Sequence, residues 1–395
     1  MNSDPQQPRD ATPGRTIAVV TGSRSEYALL KPVMERIRHE PALALQVVTA
    51  GMHLDDAFGR TESQITDDGF ALAGRVRMSP AGDAPSHMAD AVGLGIRNFA
   101  SEFDRLAPDI VLVLGDRTEA FAAAIAAALS GRVLAHIHGG DRTRGGFDES
   151  MRHAITKLAH LHFAATETSR RRIIAMGERE EYVWNTGAPG VDVLLNTPRL
   201  SRDQLAHELG LTLQPNFILC VQHPVSTQAD LAAEQMRATL NALETLNTQT
   251  LLVYPNNDAG GRRMIAVIES YADHPWLHTF RSLPSPVYVS LLAECATLIG
   301  NSSSGIIEAP VLGTPVVNLG IRQDGRERAH NVIDVGHDPA QIAAALRKAQ
   351  TDETFRDRLA KCLHPYGDGH AAEAIVSHLR DVAIDDKLLT KQITC

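Results

Sequence analysis

DIVLVLGDRTEAFAAAIAAALSGRVLAHIHGGD, residues 109–141, decides the fold. DIVLVLG is a near-continuous apolar, β-branched run closed by Gly115. EAFAAAIAAAL (119–129) follows as a helical pattern, and VLAHIHGG (133–140) is the next apolar run. A strand, a helix and a second strand apolar on both faces describe a parallel sheet covered by helices on either side.

The pattern extends in both directions. TIAVVTG (16–22) leads into the helix YALLKPVMERIRHE, and LQVVTAG (45–51) is a further strand. SHMADAVGLGIRNFASEFDRL precedes the central unit as a helix, and ESMRHAITKLAH follows it as another. A Pro/Gly-rich stretch, NTGAPGVDVLLNTPRLS (185–201), then interrupts the pattern. It restarts with FILCVQHP (217–224), TLLVYPN (250–256), TLIGNSS (297–303) and TPVVNLG (314–320). The expectation is an α/β protein of two Rossmann-like units with parallel sheets. They span residues 15–190 and 191–375, flanked by a polar tail (1–14) and a C-terminal helix and tail (376–395). The chain length of 395 residues suits two such units.

Composition narrows the function. Lys and Arg number 38 against 47 Asp and Glu, a net charge of −9, which argues against a nucleic-acid or anionic-membrane surface. The four cysteines (220, 295, 362 and 395) form no CxxC pair, which fits a reducing cytoplasm rather than a disulfide framework or a zinc ribbon. MNSDPQQPRDATPG (1–14) has no apolar segment of a signal peptide, and no apolar run approaches the length of a membrane helix.

In open α/β sheets ligands sit at the C-terminal ends of the strands, and the chemistry-bearing residues of this chain fall there. GNSSSGIIEAP (300–310) follows a strand and is expected to open a helix. Ser302, Ser303 and Ser304 then sit at a helix N-terminus suited to phosphate, with Glu308 placed for ribose hydroxyls. A serine N-cap alone would need only one of the three. TGSRSEY (21–27) is a similar turn whose Arg24 suits a diphosphate. It is neither a Walker loop nor GxGxxG, so no nicotinamide cofactor is implied. Asp116 in LGDRTEA (114–120) is either a helix cap or a catalytic carboxylate. His223 in VQHP (221–224) stands at a strand end of the second unit. HIHGGDRTRGGFDESMRHAITKLAH (136–160) carries Asp141, Asp148 and Glu149 among histidines in a Gly-rich loop leading to a helix, and paired carboxylates near an anion site suit proton removal and return. No HExxH or Cys/His spacing supports a metal, and His160 and His162 read as structural.

GSRSEY, AGMHL, GDRTEA, HIHGGD, DESMRHAITKLAH, QHPV, GNSSSGIIE and NLGIRQDGRE, in this order over about residues 15–380, resemble the hydrolysing UDP-N-acetylglucosamine 2-epimerases. That family opens sialic-acid and related nonulosonate pathways. The resemblance implies the two-domain GT-B fold, a cleft between the domains, and a C-terminal helix that crosses back to the first domain. It implies a UDP-sugar substrate, no cofactor and a homodimer or homotetramer. It places Arg24 on the UDP diphosphate, and Ser302, Ser303 and Glu308 on phosphate and ribose. Asp116, Asp148 (with Glu149 beside it) and His223 fall on catalytic positions, and Arg322 on the arginine after the NLG strand. One departure stands out. Relatives with an HIEGG motif use its Glu as a catalytic carboxylate, and His138 occupies that position here. Either Asp141 supplies the carboxylate or His138 is itself the acid/base. The same departure raises UDP-N,N′-diacetylbacillosamine as an alternative sugar. A GT-B glycosyltransferase, a non-hydrolysing epimerase and a silent nucleotide-sugar sensor are the other readings.

Overall fold

The computed structural model describes residues 14–55, 60–78, 85–142, 147–256, 260–361 and 364–394. The polar N-terminal tail, Cys362, Cys395 and positions 143–146 of the Gly-rich loop lie outside the described residues. Two parallel sheets carry the chain. The first comprises β1 (Arg15–Thr21), β2 (Leu43–Ala50), β3 (Leu72–Val76), β4 (Ile110–Leu114), β5 (Val133–Ile137), β6 (Leu161–Ala164) and β7 (Val183–Asn185), ordered β3-β2-β1-β4-β5-β6-β7. The second comprises β8 (Ile218–Val221), β9 (Thr250–Val253), β10 (Leu277–Phe280), β11 (Thr297–Gly300), β12 (Val316–Leu319) and β13 (Val332–Val335), ordered β10-β9-β8-β11-β12-β13.

Alternate residues of the central strands feed opposite cores. Ile17, Val19, Ile110 and Leu112 pack on one face of the first sheet, and Ala18, Val20, Val111 and Val113 on the other. All eight are essentially unexposed, which is why these strands read as continuous apolar runs. Each sheet reverses its strand order once, between β1 and β4 and between β8 and β11. A crevice opens at such a reversal, beyond the strand C-termini.

The helix Ala371–Asp381 packs on the first sheet's side of the molecule. Ala372, Ile375, Val376 and Leu379 share a helical face and join the core with Tyr27, Leu30 and Met34. Its first turn is anchored by Asp192, whose buried carboxylate accepts from the backbone N–H of Ala371 (3.0 Å) and Ala372 (2.7 Å). That bond pair satisfies two of the helix's orphan donors. Among the described residues no helix is long and apolar enough to cross a membrane.

Candidate functional site

At the β1–β4 reversal, Gly115 turns the chain with φ +73°, and Asp116 follows at the rim. The helix Thr118–Leu129 is capped by Arg117 without any side-chain cap bond, so Asp116 is not its cap. The Asp116 carboxylate instead accepts from the Arg152 guanidinium. Arg152 also donates to the Asp141 carbonyl at 3.0 Å and is almost completely buried. Burial, with the Arg326 and Arg172 charges adding to it, pushes Arg152 down to about 10, so it stays cationic at neutral pH. Arg152 lies four residues after Asp148 in the helix Phe147–Leu158, one turn along the same face.

β5 ends in a sharp turn. His138 adopts φ +64°, a left-handed conformation rare for a residue with a Cβ, and Gly139 and Gly140 follow. His138 Nδ1 lies 2.8 Å from Asp141 Oδ2, and Ser169 donates to Asp141 Oδ1 at 2.7 Å. Burial would raise the Asp141 carboxyl. The His138 and Ser169 bonds, with the Arg326 charge, outweigh it and hold the group below its ordinary value. Asp148 is exposed on the first turn of its helix. The adjacent Glu149 sits 3.7 Å from both Arg142 and His153.

His136, one strand position inward, is a core residue. Its Nε2 lies 2.8 Å from the Gly115 carbonyl, and burial pushes it down to about 3. His160 receives the Leu134 N–H at 3.1 Å, and His162 is buried beside Glu178. Both are structural.

In the second sheet the β8–β11 reversal holds the other half. Gly300 has φ +136°, and a Cβ there would lie 1.9 Å from the Val221 carbonyl oxygen, so only glycine fits. The buried Asn301 side chain accepts from the His223 N–H (2.7 Å) and donates to the His223 carbonyl (2.8 Å). It staples the QHP turn to the serine turn. His223 Nδ1 accepts from the Asn256 N–H at 3.1 Å, which leaves the ring proton on Nε2. Arg322 and Gln323 donate to the Asn301 carbonyl. Ser302, Ser303 and Ser304 are partly exposed at the turn, with Ser302 Oγ 3.3 Å from both Ser304 Oγ and the Ser304 N–H. The expected helix is a single turn, Ser304–Ile307. Pro310 cannot continue it, having no N–H and clashing with the preceding turn. The macrodipole expected at this site is therefore small, and its anion-binding capacity rests on N–H groups and hydroxyls. Burial raises Glu308 above its ordinary value. Arg24 is exposed on the first turn of the helix Arg24–His39.

Sequence reasoning missed a buried carboxyl pair behind this site. Glu26 Oε2 accepts from the Gly22 N–H at 2.6 Å, and burial, with the nearby Glu119 charge adding to it, pushes Glu26 up to about 8. Glu119 pairs with Arg117 at 3.2 Å. Its side chain runs against Gly22 and Gly51, where any Cβ would clash. Those two glycines, each closing a strand, were the available signal. Among the described residues no group of three His, Cys, Asp or Glu side chains is placed to hold a metal ion.

The family model for UDP-N-acetylglucosamine 2-epimerase matches residues 35–380. A Legionella pneumophila protein named UDP-N,N′-diacetylbacillosamine 2-epimerase (hydrolyzing) is 38% identical over 377 residues, covering 95% of this chain and 98% of that protein. A Neisseria meningitidis UDP-N-acetylglucosamine 2-epimerase is 31% identical over 351 residues, covering 86% and 90%. A crystal structure of the N. meningitidis UDP-GlcNAc 2-epimerase bound to UDP-GlcNAc shares the fold, with TM-score 0.79, 21% identity and coverage of 92% and 99%.

Proposed function

The chain belongs to the UDP-N-acetylglucosamine 2-epimerase family, an enzyme family, and from that premise we propose that it is a hydrolysing 2-epimerase of a UDP-linked 2-acetamido sugar. It takes the UDP-sugar and water and releases UDP and the free C2-inverted sugar. UDP-N-acetylglucosamine, giving N-acetylmannosamine, and UDP-N,N′-diacetylbacillosamine are the two substrates carried forward. The second is favoured by the 38% identity to the Legionella protein of that name.

The observation that carries the reading is the Arg152 bridge. One buried guanidinium ties Asp116 to the loop of His138 and Asp141, so two proton-handling groups share one rim of the crevice. The reaction needs such groups. Departure of UDP makes C1 cationic and acidifies the C2–H bond. Loss of that proton gives a 2-acetamidoglucal, and water then adds with the opposite C2 configuration. In this reading Arg24, His223 through its Nε2–H, Ser302–Ser304, Glu308 and Arg322 hold the departing UDP. Asp116, Asp148 and the His138–Asp141 pair move protons and orient water, with Glu149 held aside by Arg142 and His153. The two units divide near residue 190, and closure about that division excludes bulk water. The cytoplasm, a homodimer or homotetramer, and supply of a sialic-acid or nonulosonate precursor complete the proposal.

The test is incubation with each UDP-sugar and no acceptor. UDP release together with a free sugar supports the reading. A requirement for a second sugar acceptor would point to a glycosyltransferase, and return of an intact epimeric UDP-sugar to a non-hydrolysing enzyme.

A further inference from the structure

We propose that His138 is a proton-transfer group of this reaction, acting through Nε2, and that Asp141 and Ser169 are positioning residues that fix its tautomer. The inference rests on the hydrolysing reading above and assigns the proton at the position where HIEGG relatives carry a carboxylate.

The hydrogen bonds form a chain whose directions are determined. Asp141 is ionised and can only accept. Both of its oxygens are occupied, Oδ2 by His138 Nδ1 at 2.8 Å and Oδ1 by the Ser169 hydroxyl at 2.7 Å. Ser169 in turn receives the Thr166 hydroxyl at 3.2 Å, and its backbone N–H is fixed to the Thr166 side chain at 3.1 Å at the start of the helix Glu167–Ala175. Each Asp141 carboxylate oxygen thus already accepts one of these bonds, and its backbone carbonyl is held by Arg152. His138 Nδ1 must be the protonated nitrogen. Nε2 has no partner among the described residues and is not a buried, unsatisfied atom, so it faces open space at the strand end. The left-handed backbone of His138 is part of the same arrangement. It ends β5 at Ile137 and folds the loop back so that a residue three positions on meets the ring.

A neutral imidazole with a free Nε2 is a base; a carboxylate behind Nδ1 stabilises the imidazolium that forms without taking its proton. In the elimination, the C2–H electron pair becomes the C1=C2 bond, the C1–O pair leaves with UDP, and the proton is carried on Nε2. Release of that proton to solvent restores the neutral ring with its Nδ1–H still on Asp141.

The test uses the full-length enzyme. Asp141→Asn is isosteric, and its amide can donate to Nδ1, which moves the ring proton to Nε2. Turnover should fall about 10²- to 10⁴-fold, with UDP affinity within about threefold of wild type. Ser169→Ala keeps the carboxylate and should lose about three- to tenfold. In ¹⁵N-histidine spectra, the His138 signal, assigned by its absence from His138→Gln, should report Nδ1–H in wild type and Nε2–H in Asp141→Asn. His138→Gln with Asp141→Asn should be no slower than His138→Gln alone, within about threefold, because the two act as one unit. Near-normal turnover of an Asp141→Asn variant that binds UDP overturns the inference, as do additive losses in the double variant or an Nε2–H tautomer in wild type. A wild-type chain that releases no UDP from either sugar overturns the functional reading and this inference with it; an active wild type beside an active Asp141→Asn overturns this inference alone.

Discussion

Replacing Arg152 with methionine keeps the apolar stem and removes the guanidinium. The side chain is 5% exposed and its Asp116 partner 24%. Breaking a fully buried pair costs about 3–5 kcal/mol, because a charge is left behind without its partner. Water reaches Asp116, so the lower end applies. The lost bond to the Asp141 carbonyl adds about 1 kcal/mol. Relief of repulsion from Arg326 and Arg172 offsets part of the sum. The expected loss is about 3 kcal/mol in urea unfolding. Turnover should fall about 100-fold or more, since Asp116 and the His138 loop both lose their common anchor. Asp116→Asn combined with Arg152→Met should be less unstable than the sum of the single changes by about 1–2 kcal/mol, the carboxylate being gone. A loss under about 0.5 kcal/mol with turnover within twofold of wild type would show that Arg152 holds nothing in place.

Glu26 sets a pH dependence. Its folded value, about 8, lies above its ordinary 4.5, so its contribution is complete below 4.5 and is lost as pH rises through 8. At about 1.4 kcal/mol per pH unit the loss is bounded at about 5 kcal/mol. Glu26→Gln should flatten unfolding free energy between pH 5 and 9, and an unchanged slope would place the dependence elsewhere. Gly300→Ala should abolish UDP binding or folding of the second unit, because its Cβ would overlap the Val221 carbonyl; calorimetric UDP binding at the wild-type level would contradict the turn geometry. Ser303→Ala and Glu308→Gln should each weaken UDP binding by about 1–3 kcal/mol while leaving thermal unfolding unchanged, and unaltered affinity in both would move the nucleotide elsewhere.

The parallel sheets were legible because their central strands are buried on both faces. IVLVL and VLAHI leave no other reading once a helix and a glycine turn lie between them. The short edge strands were not. VWN of β7 has only three residues, and VIDV of β13 is largely half-exposed, so neither shows an apolar run. The site was legible wherever a polar residue follows a strand: Asp116, His223 and Asn301 all stand there. Arg152 was not, because an arginine inside an amphipathic helix reads as a solvated face. It lies inside the motif DESMRHAITKLAH, and its i, i+4 spacing from Asp148 was a further signal. The pairing of His138 with Asp141 needs a left-handed residue at 138, and nothing in the local sequence other than the two following glycines announces one. The serine helix is shorter than expected, a single turn, with Pro310 following it.

The most direct measurement is the proton NMR spectrum of the product formed in D₂O from UDP-N-acetylglucosamine and, in parallel, from UDP-N,N′-diacetylbacillosamine. The account predicts, from at least one of the two, release of UDP and a free sugar of inverted C2 configuration carrying one deuterium at C2. Elimination takes the original hydrogen to a protein group, and rehydration returns one exchanged with solvent. A free sugar that retains its original C2 hydrogen, or one of unchanged C2 configuration, would contradict it.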